Sequence, residues 1–184
     1  MNLAQKILSA LAALAIAATG CTDNTGTGFP DANNSVSEET TMELTQKTFA
    51  AEPQYVKMLG RTHSEEGILW LALSASGVEF TMKGTSASVT LAGDSSVSSE
   101  DNRARFAAYV DGKRVADEMI VEPEQTVEIF ASDEEREVTV RLIKLSEAAQ
   151  STVGIKSINV TSVGDIAPTA EKGLKIEFIG DSIT

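Results

Sequence analysis

Two serines in this chain stand in the same triplet, and only one has a setting suited to chemistry. Gly180-Asp181-Ser182 follows directly on the apolar run from Leu174 to Ile179. A serine that attacks an acyl carbon needs a base for its proton, a group that orients the base, and donors for the oxyanion. Placed just past a strand, the Ser182 hydroxyl stands at the carboxyl edge of a sheet, where open α/β folds build their sites. Gly180 permits the tight turn. Ser182 is therefore the candidate nucleophile. Its backbone N–H is a candidate oxyanion donor, and Asp181 is placed to hold the loop.

The second triplet, Gly93-Asp94-Ser95, is an internal control. It also follows an alternating apolar stretch, but it runs into Ser96-Val97-Ser98-Ser99-Glu100-Asp101. Such residues favour turns, and this copy reads as a hairpin connection. The triplet alone thus says little, and the weight rests on Ile-Glu-Phe-Ile-Gly-Asp-Ser-Ile-Thr. His63 is the single histidine. In Gly60-Arg61-Thr62-His63-Ser64 it reads as an exposed loop residue rather than the base for Ser182. Trp70, Tyr55 and Tyr109 are candidates for a sugar-stacking platform. Trp70 lies within Ile68-Leu69-Trp70-Leu71, which reads as core. No metal-ligand spacing and no phosphate loop occur, and no cofactor is implied.

Cys21 is the one cysteine among 184 residues, so no disulfide forms within the chain. Lys6 precedes an apolar run from Ile7 to Ala18, and Thr19-Gly20-Cys21 follows. A basic start, a short apolar stretch and small residues at the cut form a secretory signal over residues 1–20, too short for a membrane-spanning helix. Ala18-Thr19-Gly20-Cys21 resembles a bacterial lipobox, with Ala18 where a larger aliphatic is usual. That resemblance makes Cys21 the lipidated first residue of an exported protein anchored to a membrane. The net charge of -12 disfavours nucleic acid, which requires a basic stripe.

These residues need elements to position them. Residues 21–50 read as a flexible tether, most plainly from Thr22 to Thr41, where Thr, Asn, Asp, Ser, Gly and Glu leave little to bury. From 51 to 168 the pattern is one of short strands. Gly67 to Leu73 reads as a strand buried on both faces. Val78, Phe80 and Met82 alternate with polar residues, as do Ala87, Val89 and Leu91, then Phe106, Ala108 and Val110. Val127, Ile129 and Ala131 do the same, then Val138, Val140 and Leu142, and last Ile158 and Val160. Period-two alternation gives one buried and one wet face. Lys83-Gly84-Thr85, Asp111-Gly112 and Asp133-Glu134-Glu135 read as turns between strands. Ser146 to Gln150 is the one helix-tolerant stretch. The expected class is all-β, an antiparallel sandwich. Ile166 to Ala170 reads as a connector, and residues 169–184 as the opening of a second, α/β domain whose first strand leads into Ser182.

Taken together, these segments resemble carbohydrate esterase family two. The landmarks are Gly60-Arg61-Thr62, Ser76-Gly77-Val78-Glu79-Phe80, Lys83-Gly84-Thr85-Ser86, Tyr109-Val110-Asp111-Gly112, the stretch from Val140 to Glu147, and Lys175 to Thr184. The resemblance implies an amino-terminal jelly-roll sandwich followed by an SGNH, or GDS(L)-type, hydrolase domain. It implies removal of acetyl groups from plant polysaccharides such as xylan and glucomannan. Ser182 then matches the family nucleophile, and Gly180 and Asp181 its first block. The glycine, asparagine and histidine blocks that complete such a site are expected downstream of Thr184, so the 184 residues alone are expected to be inactive. His63, upstream, inherits no role. The rival reading is a sandwich that binds glycan, or acts as a scaffold, without chemistry.

Overall fold

The computed structural model describes residues 43–174, and within them ten strands follow one another. They are β1 (Thr45–Phe49), β2 (Lys57–Leu59), β3 (Thr62–Glu65), β4 (Ile68–Leu71), β5 (Gly77–Gly93), β6 (Arg105–Val110), β7 (Lys113–Met119), β8 (Glu124–Lys144), β9 (Val153–Ser162) and β10 (Ala167–Pro168). All pairings are antiparallel. The order is β3-β4-β9-β5-β8-β6-β7, with β1 on β9 and both β2 and β10 on β5.

Two long strands make this sheet into a sandwich. β5 has 17 residues and β8 has 21. The first half of β5 pairs with the last half of β8, and with β2 and β10. Its second half pairs with the first half of β8 and with β9. The sheet therefore curls, and two layers share β5 and β8 across one core.

The crossing is visible in side-chain parity. Val78, Phe80 and Met82 face the core before the crossing, and Ala87, Val89 and Leu91 face it after. An even-to-odd change needs one extra residue, and the register shifts between Gly84 and Ser86. On β8 the change runs from Val127 and Ile129 to Val138, Val140 and Leu142. Gly84 is required there, because a Cβ on it would land on the carbonyl of Thr161. Phe80, Phe106 and Leu142 are fully buried, each worth about 1.5–3 kcal/mol of apolar burial.

The all-β expectation holds, but two expected turns do not exist. Lys83-Gly84-Thr85 lies inside β5, and Asp133-Glu134-Glu135 lies inside β8. Their turn-like composition has another cause. Gly84 serves close approach of backbones, and residues 133–137 form the exposed outer bend of β8. There Lys83 pairs with Glu135 at 2.7 Å. Asp111-Gly112 does form a hairpin turn between β6 and β7, with φ of 51° and 78°. Residues 146–150 form bends and turns rather than a helix.

Two further differences concern the ends of the sandwich. β1 lies inside the stretch assigned to the tether, and pairs with β9 from Thr45 to Phe49. The expected connector carries β10, where Ala167 and Pro168 pair with Thr81 and Phe80 of β5. Just beyond, the Thr169 hydroxyl donates to Glu79 at 2.7 Å. Glu79 is only 6% exposed and stands opposite Arg141, whose Nε–H donates to it at 2.6 Å. Burial pushes the Glu79 carboxyl up, but the Thr169 and Arg141 hydrogen bonds outweigh this and leave it lowered. The strand expected from Leu174 to Ile179 lies outside the described residues, apart from Leu174.

Candidate functional site

Of the residues singled out in the sequence, Cys21, Gly180, Asp181 and Ser182 lie outside the described residues. The others do not form one platform. Tyr55 packs against Phe49 with ring centroids 4.8 Å apart, beside the core. Tyr109 lies on β6, where Arg114 sits over its ring at 5.5 Å and donates to its hydroxyl at 3.2 Å. Arg105 and Arg114 both engage Asp117 there, at 2.7 and 2.8 Å. These guanidiniums keep the Asp117 carboxyl below its usual range.

Trp70 is where the structure differs most from expectation. β4 is buried on one face only. Leu69 and Leu71 point into the core, and Trp70 lies on the opposite face. The cause is a hairpin. Glu66 and Gly67 have φ of 51° and 77° and join β3 to β4 in a two-residue turn. That turn sets the register, which places His63 directly across from Trp70. The Glu-Gly pair and the alternation of Leu69 and Leu71 were the signals that could have found this.

Trp70 and His63 line an open cleft of about 610 Å³ with Arg61, Glu65, Asp94 and Thr152 among its walls. On the other side of β4, Trp70 faces Gly154 of β9. A Cβ on Gly154 would lie 3.2 Å from Cε3 of the indole. The absent side chain lets the indole settle against the β9 backbone. The side chains of Arg61, His63 and Glu65 make no hydrogen bond or ion pair among the described residues.

Asp94 contributes structure to the cleft rather than reactivity. It caps the 3-10 turn Ser95–Ser98 by accepting from the Ser96 backbone N–H at 2.9 Å and from the Ser96 hydroxyl. Its other oxygen accepts the Thr152 N–H at 2.6 Å and the Thr152 hydroxyl at 2.9 Å. Burial pushes this carboxyl up, yet the Ser96 and Thr152 donors prevail and lower it. Gly93-Asp94-Ser95 is a connection, as expected, but not a hairpin. β5 and β6 are separated in the sheet by β8.

Lys144 holds the loop that leads to the cleft. It is fully buried, and its ammonium donates to the carbonyls of Ser146 and Glu147 at 2.6 and 2.9 Å. The same segment receives the Ser74 hydroxyl on the Ser146 carbonyl at 2.9 Å. Lys144 thus fixes the loop whose far end delivers Thr152 to Asp94. Desolvation pulls its pKa down, and Asp94 only partly restores it. Among the described residues no group of three His, Cys, Asp or Glu could hold a metal ion.

Fold and site define an antiparallel β-sandwich with an aromatic cleft on its outer face. Residues 58–169 match the family model described as "Carbohydrate esterase 2 N-terminal". The chain belongs to that family. A family two carbohydrate esterase from Clostridium thermocellum, solved with cellohexaose, is 30% identical over 70% of this chain and 38% of that one, with a TM-score of 0.56. A family two esterase from Cellvibrio japonicus matches at 19% identity and TM-score 0.59, covering 69% and 36% of the two chains. An acetyl xylan esterase from the rumen bacterium Butyrivibrio proteoclasticus matches at 20% identity and TM-score 0.58, covering 71% and 35%. The latter two show likeness of fold. The chain spans little more than a third of these relatives' length. Among curated proteins, none matches.

Proposed function

We propose that these residues form the front of an exported serine esterase that removes acetyl groups from plant polysaccharides such as xylan or glucomannan. The observation that carries this reading is the family two match over residues 58–169, with the run Ile176-Glu177-Phe178-Ile179-Gly180-Asp181-Ser182 a few residues beyond it. The Clostridium relative was solved with cellohexaose, and the Butyrivibrio relative is an acetyl xylan esterase. Both point to a polysaccharide substrate.

In this reading the Ser182 hydroxyl attacks the acetyl carbonyl, with Gly180 and Asp181 shaping its turn. The sugar hydroxyl leaves, and an acetyl-serine forms. Water then releases acetate and restores the serine. A base and further oxyanion donors from the α/β domain complete the site. His63 belongs to the sandwich and takes no part. Cys21 carries a lipid that holds the enzyme at a membrane, and no cofactor is required. The decisive experiment measures acetate release from acetylated xylan and glucomannan by the longer protein and its Ser182→Ala variant. Equal release by the two proteins would overturn the proposal.

A further inference from the structure

The Trp70 cleft is lined by none of the residues assigned to ester chemistry, yet its own chemistry is that of a ligand site. An indole on the outer face of a sheet gains nothing from the core, because Leu69 and Leu71 already fill that side of β4. One side of the indole is settled against β9 at Gly154, and Trp70 also lines the open cleft. Around it stand one cation, one anion and one imidazole, Arg61, Glu65 and His63, with no internal partners among the described residues. A guanidinium donates, a carboxylate accepts, and an imidazole adds a ring nitrogen on either side.

A flat apolar surface ringed by free donors and acceptors fits a ligand with one apolar face and a rim of hydroxyls. A pyranose ring has that form. A polyanion would meet Glu65 and a strongly acidic chain, and a lipid tail would leave Arg61, His63 and Glu65 stripped of water without partners. An open cleft, rather than a closed pocket, suits a run of sugars that continues beyond both ends.

We infer that the sandwich carries a glycan-binding site of its own, with Trp70 stacking on a sugar ring of a neutral polysaccharide and Arg61, His63 and Glu65 bonding its hydroxyls. The inference takes its ligand class from the reading of the parent protein as a polysaccharide esterase. It is tested apart from that reading, because the binding measurement needs no Ser182 chemistry.

Trp70 is the only tryptophan in the chain, so tryptophan emission, excited selectively over the two tyrosines, reports on the cleft. Titrating the full 184-residue chain with xylo-, manno- and cello-oligosaccharides of six sugars is expected to give a saturable change in emission. His63→Ala and Arg61→Ala should each weaken binding several-fold. Trp70→Ala, followed by calorimetry and checked for an unchanged circular dichroism spectrum, should abolish it. Trp70→Phe, which keeps an aromatic face, should retain a weaker affinity. Tyr109→Ala, on β6, should bind as the parent does. No saturable change with any of the three oligosaccharides, or equal binding by the Trp70→Ala variant and the parent chain, would overturn the site. Acetate release that persists in the longer protein alongside such a result would leave the esterase reading standing.

Discussion

One oxygen of Asp94 accepts both the backbone N–H and the hydroxyl of Thr152, at 2.6 and 2.9 Å, across 58 residues of sequence. The contact ties the turn after β5 to the start of β9, and the other carboxylate oxygen caps that turn through Ser96. The triplet that mimics a nucleophile motif is thus a fastening.

Asp94→Ala should lower stability by about 1–3 kcal/mol, the cost of leaving part-buried donors without their charged acceptor. Ser95 is exposed, and Ser95→Ala should change it by no more than about 0.5 kcal/mol. Urea unfolding checks both, read as a shift in midpoint at constant slope. Equal effects would mean that Asp94 is not the fastening.

Glu79 and Asp94 both have lowered carboxyl pKa values. A lowered folded value gives stability that is fully present above the unfolded value. It is lost as pH falls through the folded one. The sandwich should therefore weaken in acid, below the ordinary carboxylate values of 4.5 and 3.8. Glu79→Gln should be less stable than the parent at pH 7. Denaturant midpoints measured from neutral pH into acid should then converge, and a gap that stays constant would count against this assignment.

Lys144 gives the same sign in a different, alkaline window. Its folded value is lowered, so the folded state loses its proton first as pH rises, and stability climbs between that value and the ordinary 10.5. The difference in stability between parent and Lys144→Met should shift in the parent's favour over that alkaline range. A flat difference would show that burial of the ammonium exerts no strain.

Glycines separate two physical effects. Gly84→Ala sets a Cβ against the Thr161 carbonyl inside the sheet crossing, and should cost about 3 kcal/mol or more. At Gly112 nothing lies within 4 Å, but φ is 78°. Gly112→Ala should cost about 1–2 kcal/mol through backbone conformation alone. Thermal melts of the two variants should rank in that order.

Much of the sandwich was legible in the chain because alternation is a local signal. Val78-Phe80-Met82, Ala87-Val89-Leu91 and Phe106-Ala108-Val110 declare buried faces without reference to any partner. Asp111-Gly112 declared its turn because both residues must take positive φ. The same reasoning erred at Lys83-Gly84-Thr85 and Asp133-Glu134-Glu135. Glycine and clustered charge also suit a strand that bends between layers, and only the pairing of β5 with β8 distinguishes the cases.

The sequence by itself determined the class of fold, the family through its spaced landmarks, and the candidate nucleophile Ser182. Each of these is read from short segments of residue type and spacing. The tertiary structure decided that Trp70 faces outward and meets His63 and Arg61, and that Asp94 bonds Thr152. Those facts depend on register, and register is set by a two-residue turn and by distant strands. A one-residue slip would carry Trp70 to the other face of β4.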